Sequence, residues 1–127
     1  MKNLFLSTII LIVFFLSGCG NHELTGDSER IADAMCRSKG ITEQLTLEAA
    51  KPMADSAVIK KLQDESEKIQ NEMMAIYKEF NKKYASKTGD KKFNREFSKE
   101  LSKALLNCQY LSEDDKKMLK EKLEEKN

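Results

Sequence analysis

The chain has few of the residues that build active sites and metal centres. Its 127 residues include no tryptophan, one histidine, one proline, five glycines and three cysteines. A glycine-rich phosphate loop, an H-E-x-x-H zinc motif and a nucleophile elbow all need residues or spacings that this sequence lacks. We therefore expect no catalytic, cofactor-binding or metal-binding residues, and we do not expect an enzyme.

The scarcity of proline and glycine favours long helices, because these two residues are the main breakers of regular structure. Charged residues make up 34% of the chain and hydrophobic residues 40%, which suits a helical domain with a modest core. Apolar residues recur at steps of three and four along much of the chain. The predicted fold class is all-α: a small helical bundle built on a long antiparallel helical hairpin.

The charge balance gives no sign of a nucleic-acid partner. The chain has 22 basic and 21 acidic residues, for a formal net charge of +1. Domains that bind nucleic acids usually carry a clear basic excess. We expect no nucleic acid among the partners.

The one long apolar run lies at the N-terminus, where Lys2 precedes the run from Leu4 to Leu16. This run is too short for a membrane-spanning helix, which needs roughly 20 predominantly apolar residues. A basic start, an apolar run and small residues at its end are the organisation of a secretory signal. We expect residues 1–18 to be a cleaved signal peptide, and an uncleaved span is the alternative.

The residues Leu16-Ser17-Gly18-Cys19 resemble the lipobox of bacterial lipoprotein precursors, in which leucine, a small residue and glycine or alanine precede an obligatory cysteine. The resemblance implies that Cys19 receives a diacylglyceryl group, that signal peptidase II cuts between Gly18 and Cys19, and that a further acyl chain such as palmitate joins the new amino group. Two or more acyl chains hold a protein stably at a membrane. The mature chain would then be lipid-anchored and would not span the membrane.

The residue after the predicted lipidated cysteine indicates which membrane holds the protein. In lipoproteins of double-membrane bacteria, an aspartate directly after the lipidated cysteine commonly retains the protein at the inner membrane, whereas this chain has Gly20. The resemblance therefore favours the periplasmic face of the outer membrane. In a single-membrane bacterium the same chain would lie on the outer face of the plasma membrane.

Once Cys19 is assigned to lipid, Cys36 and Cys108 remain as a pair in an exported chain. Compartments outside the cytosol oxidise thiols, so we predict a disulfide between them. The bond would close a loop of about 73 residues, for which the chain-entropy model gives a stabilisation of about 4 kcal/mol. Two buried free thiols are the main alternative, and a metal site suits the spacing less well.

Residues 19–27 are small and polar and include two glycines, so they predict a lipidated tether. One helical domain is expected to fill residues 28–127. His22 should lie in solvent on the tether.

The first helix is predicted to begin after Asp27 or Ser28, since either side chain can cap it, and to stop at Gly40. A second, short helix is predicted within residues 42–50. Pro52 should prevent that helix from continuing.

The strongest periodic signal predicts a long helix that starts near Met53 to Ser56. Its seam consists of Ile59, Leu62, Ser66, Ile69, Met73, Ile76 and Phe80. We expect this seam to pack on a neighbouring helix of the same chain, and an intermolecular coiled coil is the alternative. The next helix, capped by Asp90, should return antiparallel along the long one. Ser112 should begin the last helix with a capping box.

One stretch has an excess of positive charge and is a possible surface for an anionic partner: Lys82, Lys83, Lys87, Lys91, Lys92 and Arg95. Lipid headgroups, lipopolysaccharide phosphates or an acidic protein could contact it. A solvated face that keeps a small domain soluble is the alternative. Exposure of any two of the nearby aromatic residues would favour an interface; these residues are Tyr77, Phe80, Tyr84, Phe93 and Phe97.

Two functions remain in competition. The first is a membrane-anchored envelope lipoprotein that acts as a non-catalytic binding or adaptor module for another envelope component. The second is a structural or spacer lipoprotein that self-associates through its long helix. The sequence leaves the oligomeric state open, and the preference for the adaptor rests on elimination of other classes.

Overall fold

The computed structural model describes the backbone of residues 2–125 and the side chains of residues 22–125. Within this part of the chain the elements are α1 (Lys2–Ala49), α2 (Ser56–Lys83), a 3₁₀ turn (Ala85–Lys87), α3 (Lys91–Leu105) and α4 (Glu113–Glu124). No strand occurs between residues 2 and 125. The predicted all-α class is confirmed.

Side-chain caps explain where three of the helices begin. The carboxylate of Asp55 accepts hydrogen bonds from the first-turn amides of α2, and that of Asp90 does the same for α3. Ser112 and Asp115 form a reciprocal capping box at the start of α4. Each cap satisfies amide groups that have no partner inside their helix. The caps predicted at Asp90 and Ser112 are confirmed.

The long antiparallel hairpin is formed by α1 and α2. Residues later in α1 contact residues earlier in α2, which shows that the two helices are antiparallel. The paired residues are Leu24 with Tyr84, Ile31 with Ile76, and Ile41 with Leu62. The prediction of a helical bundle built on a long antiparallel hairpin is confirmed, but the hairpin is formed by α1 and α2, whereas the sequence predicts it between α2 and α3.

The seam of α2 packs within the chain, as predicted, and its neighbour is α1. Leu62, Ile69 and Ile76 are buried. The other four seam positions are half-buried; they are Ile59, Ser66, Met73 and Phe80.

Helix α3 also packs chiefly on α1. It runs antiparallel to α2, as predicted, because Phe93 contacts Leu24 at one end of α1 while Leu101 contacts the cluster around Ile31 further along. The prediction that α3 lies along the long α2 is corrected in one respect, since its main neighbour is α1. The reason is that α2 has a single apolar stripe, which packs mainly on α1, and only its end at Phe80 also contacts α3.

The first helix differs from the prediction at both of its expected ends. Leu24, expected in the tether, is 4% exposed and packs against Tyr84 and Phe93. Gly40, expected to end the helix, is buried inside α1, where the Tyr110 ring lies so close that an added Cβ would come within 2.5 Å of it. Glycine at position 40 lets the segment that carries Tyr110 approach α1 closely. Helix α1 therefore continues without a break to Ala49.

The predicted disulfide is confirmed. Cys36 in α1 is bonded to Cys108, just after α3, with the two Cα atoms 5.5 Å apart. Cys108 is buried. The bond holds the end of α3, and with it the start of α4, against the middle of α1.

Replacing Cys36 and Cys108 together by alanine should lower the free energy of unfolding by about 4 kcal/mol, because the open chain regains the entropy of a long loop. Urea unfolding followed by circular dichroism measures the change. Met74→Ala is the control, since the Met74 side chain is 64% exposed on α2. An unfolding free energy equal to that of the wild type would contradict the bond's role.

Two glycines of α1 should respond in opposite directions to the same substitution. Gly26→Ala should stabilise the fold by up to about 1 kcal/mol, because alanine is the better helix former and nothing lies within 4 Å of the new Cβ. Gly40→Ala should destabilise by about 1–3 kcal/mol through the clash with Tyr110. Thermal unfolding measures both effects.

The Tyr110→Ala background is the control for this pair, since removal of the ring should abolish the cost of Gly40→Ala. Equal stabilisation by Gly26→Ala and Gly40→Ala in the wild-type background would contradict the close packing of α1 on Tyr110.

Candidate functional site

An apolar groove of about 570 Å³ opens between α1, α4 and the segment that joins α3 to α4. Its volume lies in the range of ordinary ligand pockets. Methionines and leucines supply its apolar lining: Met35, Met73, Met118, Leu105, Leu111 and Leu119. Methionine is unbranched and polarisable, so surfaces rich in it adapt to apolar partners of different shapes. This groove is the candidate binding site.

The Cys36–Cys108 bond and one ion pair position the walls of the groove. Lys39 on α1 donates to the carboxylate of Asp115 on α4 over 3.0 Å. This hydrogen bond, and a second one from Ser112, hold the pKa of Asp115 below its ordinary value. The contact between α1 and α4 is therefore this ion pair, while the helix that α4 packs on is α3.

The sequence analysis does not predict this groove. In the sequence, Met118 and Leu119 form only a narrow apolar stripe on the last helix, and Met73 belongs to the predicted seam of α2. The available signal was the methionine content, six residues in the chain, three of which come together from three helices. Nothing in the spacing of α4 indicated that it would lie beside α1.

A second groove, of about 650 Å³, lies between α1, α2 and residues 107–110 and has a charged lining. Arg37 donates to Asp33 over 2.8 Å and to Glu72 over 2.6 Å. The hydrogen bond between Arg37 and Glu72 raises the pKa of the guanidinium and lowers that of the carboxyl. Arg37 and its two carboxylate partners are therefore already paired with one another.

Two further carboxyl groups, those of Glu48 and Glu100, have lowered pKa values because lysines donate to them. The carboxylate of Glu48 accepts from Lys51 and from the Asp55 amide, and both bonds lower its pKa. A hydrogen bond from Lys103 lowers the pKa of Glu100. Among the side chains of residues 22–125, no group of three or more His, Cys, Asp or Glu could hold a metal ion.

The predicted basic surface lies at the α2–α3 connection, where all six of its residues are exposed. Lys83 differs from the others because its Nζ lies 2.7 Å from Asp27 and 3.8 Å from Glu23. The hydrogen bond to Asp27 raises the pKa of Lys83. Its charge is therefore engaged within the bundle.

The aromatic residues beside this surface form part of the core. Phe80, Tyr84, Phe93 and Phe97 pack together, with the closest ring centroids 4.6 Å apart. The Tyr84 hydroxyl donates to Asp27 over 2.9 Å, and burial, followed by this bond, raises its pKa. Tyr77 is the exception, at 37% exposed. The pair of exposed aromatic residues that would have favoured an interface is absent from these five.

The predicted lipidation and cleavage residues, Cys19 and Gly18, lie outside the described side chains. His22, the first described side chain, is exposed. In the part of the chain that could be searched, no helix combines the length and the apolar character needed to cross a membrane.

Comparison of the chain with protein-family models, with curated proteins and with solved structures finds no match.

Acid should loosen α4 through Asp115. A carboxyl whose pKa is lower in the folded chain stabilises the fold above its unfolded pKa, about 3.9 for aspartate, and this stabilisation is lost as the pH falls through the folded value. Hydrogen-exchange protection factors of the α4 amides should therefore stay constant from neutral pH to about pH 5 and fall as the pH is lowered further. Asp115→Asn should lower this protection already at neutral pH.

Asp114→Asn is the matched control, because it removes one negative charge from the same helix turn but leaves the Lys39 ion pair and the Ser112 capping box in place. Lys39→Met removes the ion pair and keeps the capping box, so it should also lower the α4 protection at neutral pH. Full protection in Lys39→Met would show that the ion pair does not dock α4.

Proposed function

We propose that this chain is a lipid-anchored protein of the bacterial cell envelope, and that its helical bundle is a non-catalytic binding module for another envelope protein. The lipobox resemblance at residues 16–19, with cleavage between Gly18 and Cys19, supports the anchor. Gly20 favours the periplasmic face of the outer membrane. The Cys36–Cys108 bond supports an exported location, because such bonds persist in oxidising compartments.

The methionine-lined groove is the observation that carries the binding function. Its apolar lining and open shape suit an apolar segment of a partner, such as one face of an amphipathic helix. Lys39, Asp115 and Lys122 stand among its lining residues. Charged groups beside an apolar contact orient a partner and select against wrong ones.

The packing of α2 gives the spacer function less support. A spacer that self-associates through its long helix needs an apolar seam on that helix, and Leu62, Ile69 and Ile76 are buried against α1. The exposed large apolar residues of α2 are Val58, Met74 and Tyr77. Three side chains at this spacing do not form the heptad pattern of a coiled coil.

Photo-crosslinking in the native host tests the proposal. We expect benzoylphenylalanine at position 118 on α4, or at position 42 on α1, to give the same adduct with one envelope protein, because both residues line the groove. Position 74 is the matched control: Met74 and Met118 are both exposed helical methionines, at 64% and 55%, and Met74 does not line the groove.

The absence of adducts from positions 42 and 118, with unchanged thermal stability, would overturn the groove as a binding site. An adduct from position 74 with a second copy of the chain would favour the spacer function instead.

A further inference from the structure

The exposed basic residues at one end of the bundle have no part in the groove. Six basic residues and one acidic residue, Asp90, fall between Lys82 and Arg95. The Asp90 carboxylate caps α3, and Lys83 pairs with Asp27. We call the remaining exposed residues the basic end; they are Lys82, Lys87, Lys91, Lys92 and Arg95.

The fold places the basic end beside the N-terminal part of α1. Leu24 is buried against Tyr84 and Phe93, which flank the connection between α2 and α3. Asp27, one turn later, accepts from both Tyr84 and Lys83. These contacts hold the connection at the end of the bundle where α1 enters it.

Cys19 lies five residues before Leu24. Even a fully extended chain spans at most about 18 Å over that separation, and a helix spans about 8 Å. A lipid on Cys19 therefore brings its membrane within reach of the basic end. The groove residue Thr42 lies about 27 Å further along α1, by the helical rise from Leu24.

We propose that the basic end contacts anionic phospholipid headgroups in the leaflet that holds the Cys19 lipid, so that α1 rises from the membrane and presents the groove away from it. This inference rests on the lipid anchor of the proposed function. Basic residues near an anionic leaflet add to the hold of acyl chains, and several weak contacts together orient an anchored domain.

Headgroups are favoured over an acidic protein for two reasons. The anchor keeps the headgroups permanently close to the basic end, which gives them a high effective concentration. The aromatic residues beside the basic end are packed inside the bundle, as for Phe80 and Phe93. A protein interface usually has an aromatic or apolar centre, whereas a headgroup layer needs only charge.

Lysine acylation on vesicles tests the proposal. The lipidated protein is reconstituted into vesicles of phosphatidylcholine alone or of phosphatidylcholine with an equal part of phosphatidylglycerol. Its lysines are then acylated with a membrane-impermeant reagent and quantified by peptide mass spectrometry. With phosphatidylglycerol, Lys87, Lys91 and Lys92 should react about fivefold more slowly. Lys60 and Lys61, exposed on α2 near the opposite end of the bundle, are the internal control.

Charge reversal supplies a matched pair of variants. Each variant reverses the charge of two adjacent exposed lysines. Lys91→Glu/Lys92→Glu should abolish the protection of Lys87, because it changes the basic end, whereas Lys60→Glu/Lys61→Glu should leave that protection unchanged. High salt should abolish the protection in the wild type, since it screens exposed charges. Thermal unfolding is the check that both variants are folded.

The proposal would be overturned if phosphatidylglycerol slowed the acylation of Lys87 no more than that of Lys60, or if the protection of Lys87 persisted on neutral vesicles or in high salt. Protection that occurs in whole envelopes but not on the vesicles would assign the basic end to a protein and would also overturn it. The mass of the Cys19 peptide separates the membrane-contact proposal from the lipid-anchor proposal. A lipid on Cys19 without protection of the lysines supports the anchor and contradicts the membrane contact. A Cys19 without lipid contradicts both proposals.

Discussion

The burial of small side chains along α1 is the constraint on which the rest of the structure depends. Ser28 and Ala34 are fully buried, and Ala32 nearly so. The Ser28 hydroxyl donates to the Leu24 carbonyl over 2.7 Å, which satisfies its polar group inside the helix. Short side chains let two helices approach α1 closely, so α2 and α3 both pack on it while Ile31 fills the space between them.

This central position of α1 determines where the two candidate surfaces lie. At one end, Leu24 holds the α2–α3 connection, and with it the basic end, beside the N-terminal segment. Further along, the Cys36–Cys108 bond and the Lys39–Asp115 pair hold α4 against α1 and create the apolar groove. A charged surface and an apolar surface are thus separated along one rigid helix, and this separation allows one to face a membrane while the other faces a partner.

The elements that could be predicted from the sequence are those with local causes. The seam of α2 follows from its three and four residue spacing, and the caps at Asp90 and Ser112 follow from short-range hydrogen bonds. The Cys36–Cys108 pairing followed from the even number of cysteines left after Cys19 was assigned to lipid. In each case, the information lay within one helix or in the chemistry of one residue type.

The features that could not be predicted depend on contacts between distant segments. Glycine is a residue that commonly ends a helix, so the sequence predicts a stop at Gly40. The ring of Tyr110, far along the chain, instead requires a residue without a side chain at position 40. Leu24 lies between polar residues, and its burial depends on aromatic rings from α2 and α3. The groove arises only when α4 docks, and the narrow apolar stripe of α4 does not indicate which helix it will meet.

The intact mass of the protein extracted from membranes, measured with and without reduction, tests the central claim most directly. We predict the mass of an acylated chain that begins at Cys19 and that gains one pair of hydrogens on reduction of the Cys36–Cys108 bond. A chain that retains Met1, carries no acyl group and has free thiols would contradict the lipid anchor, the exported location and the covalent link between α1 and α3 together.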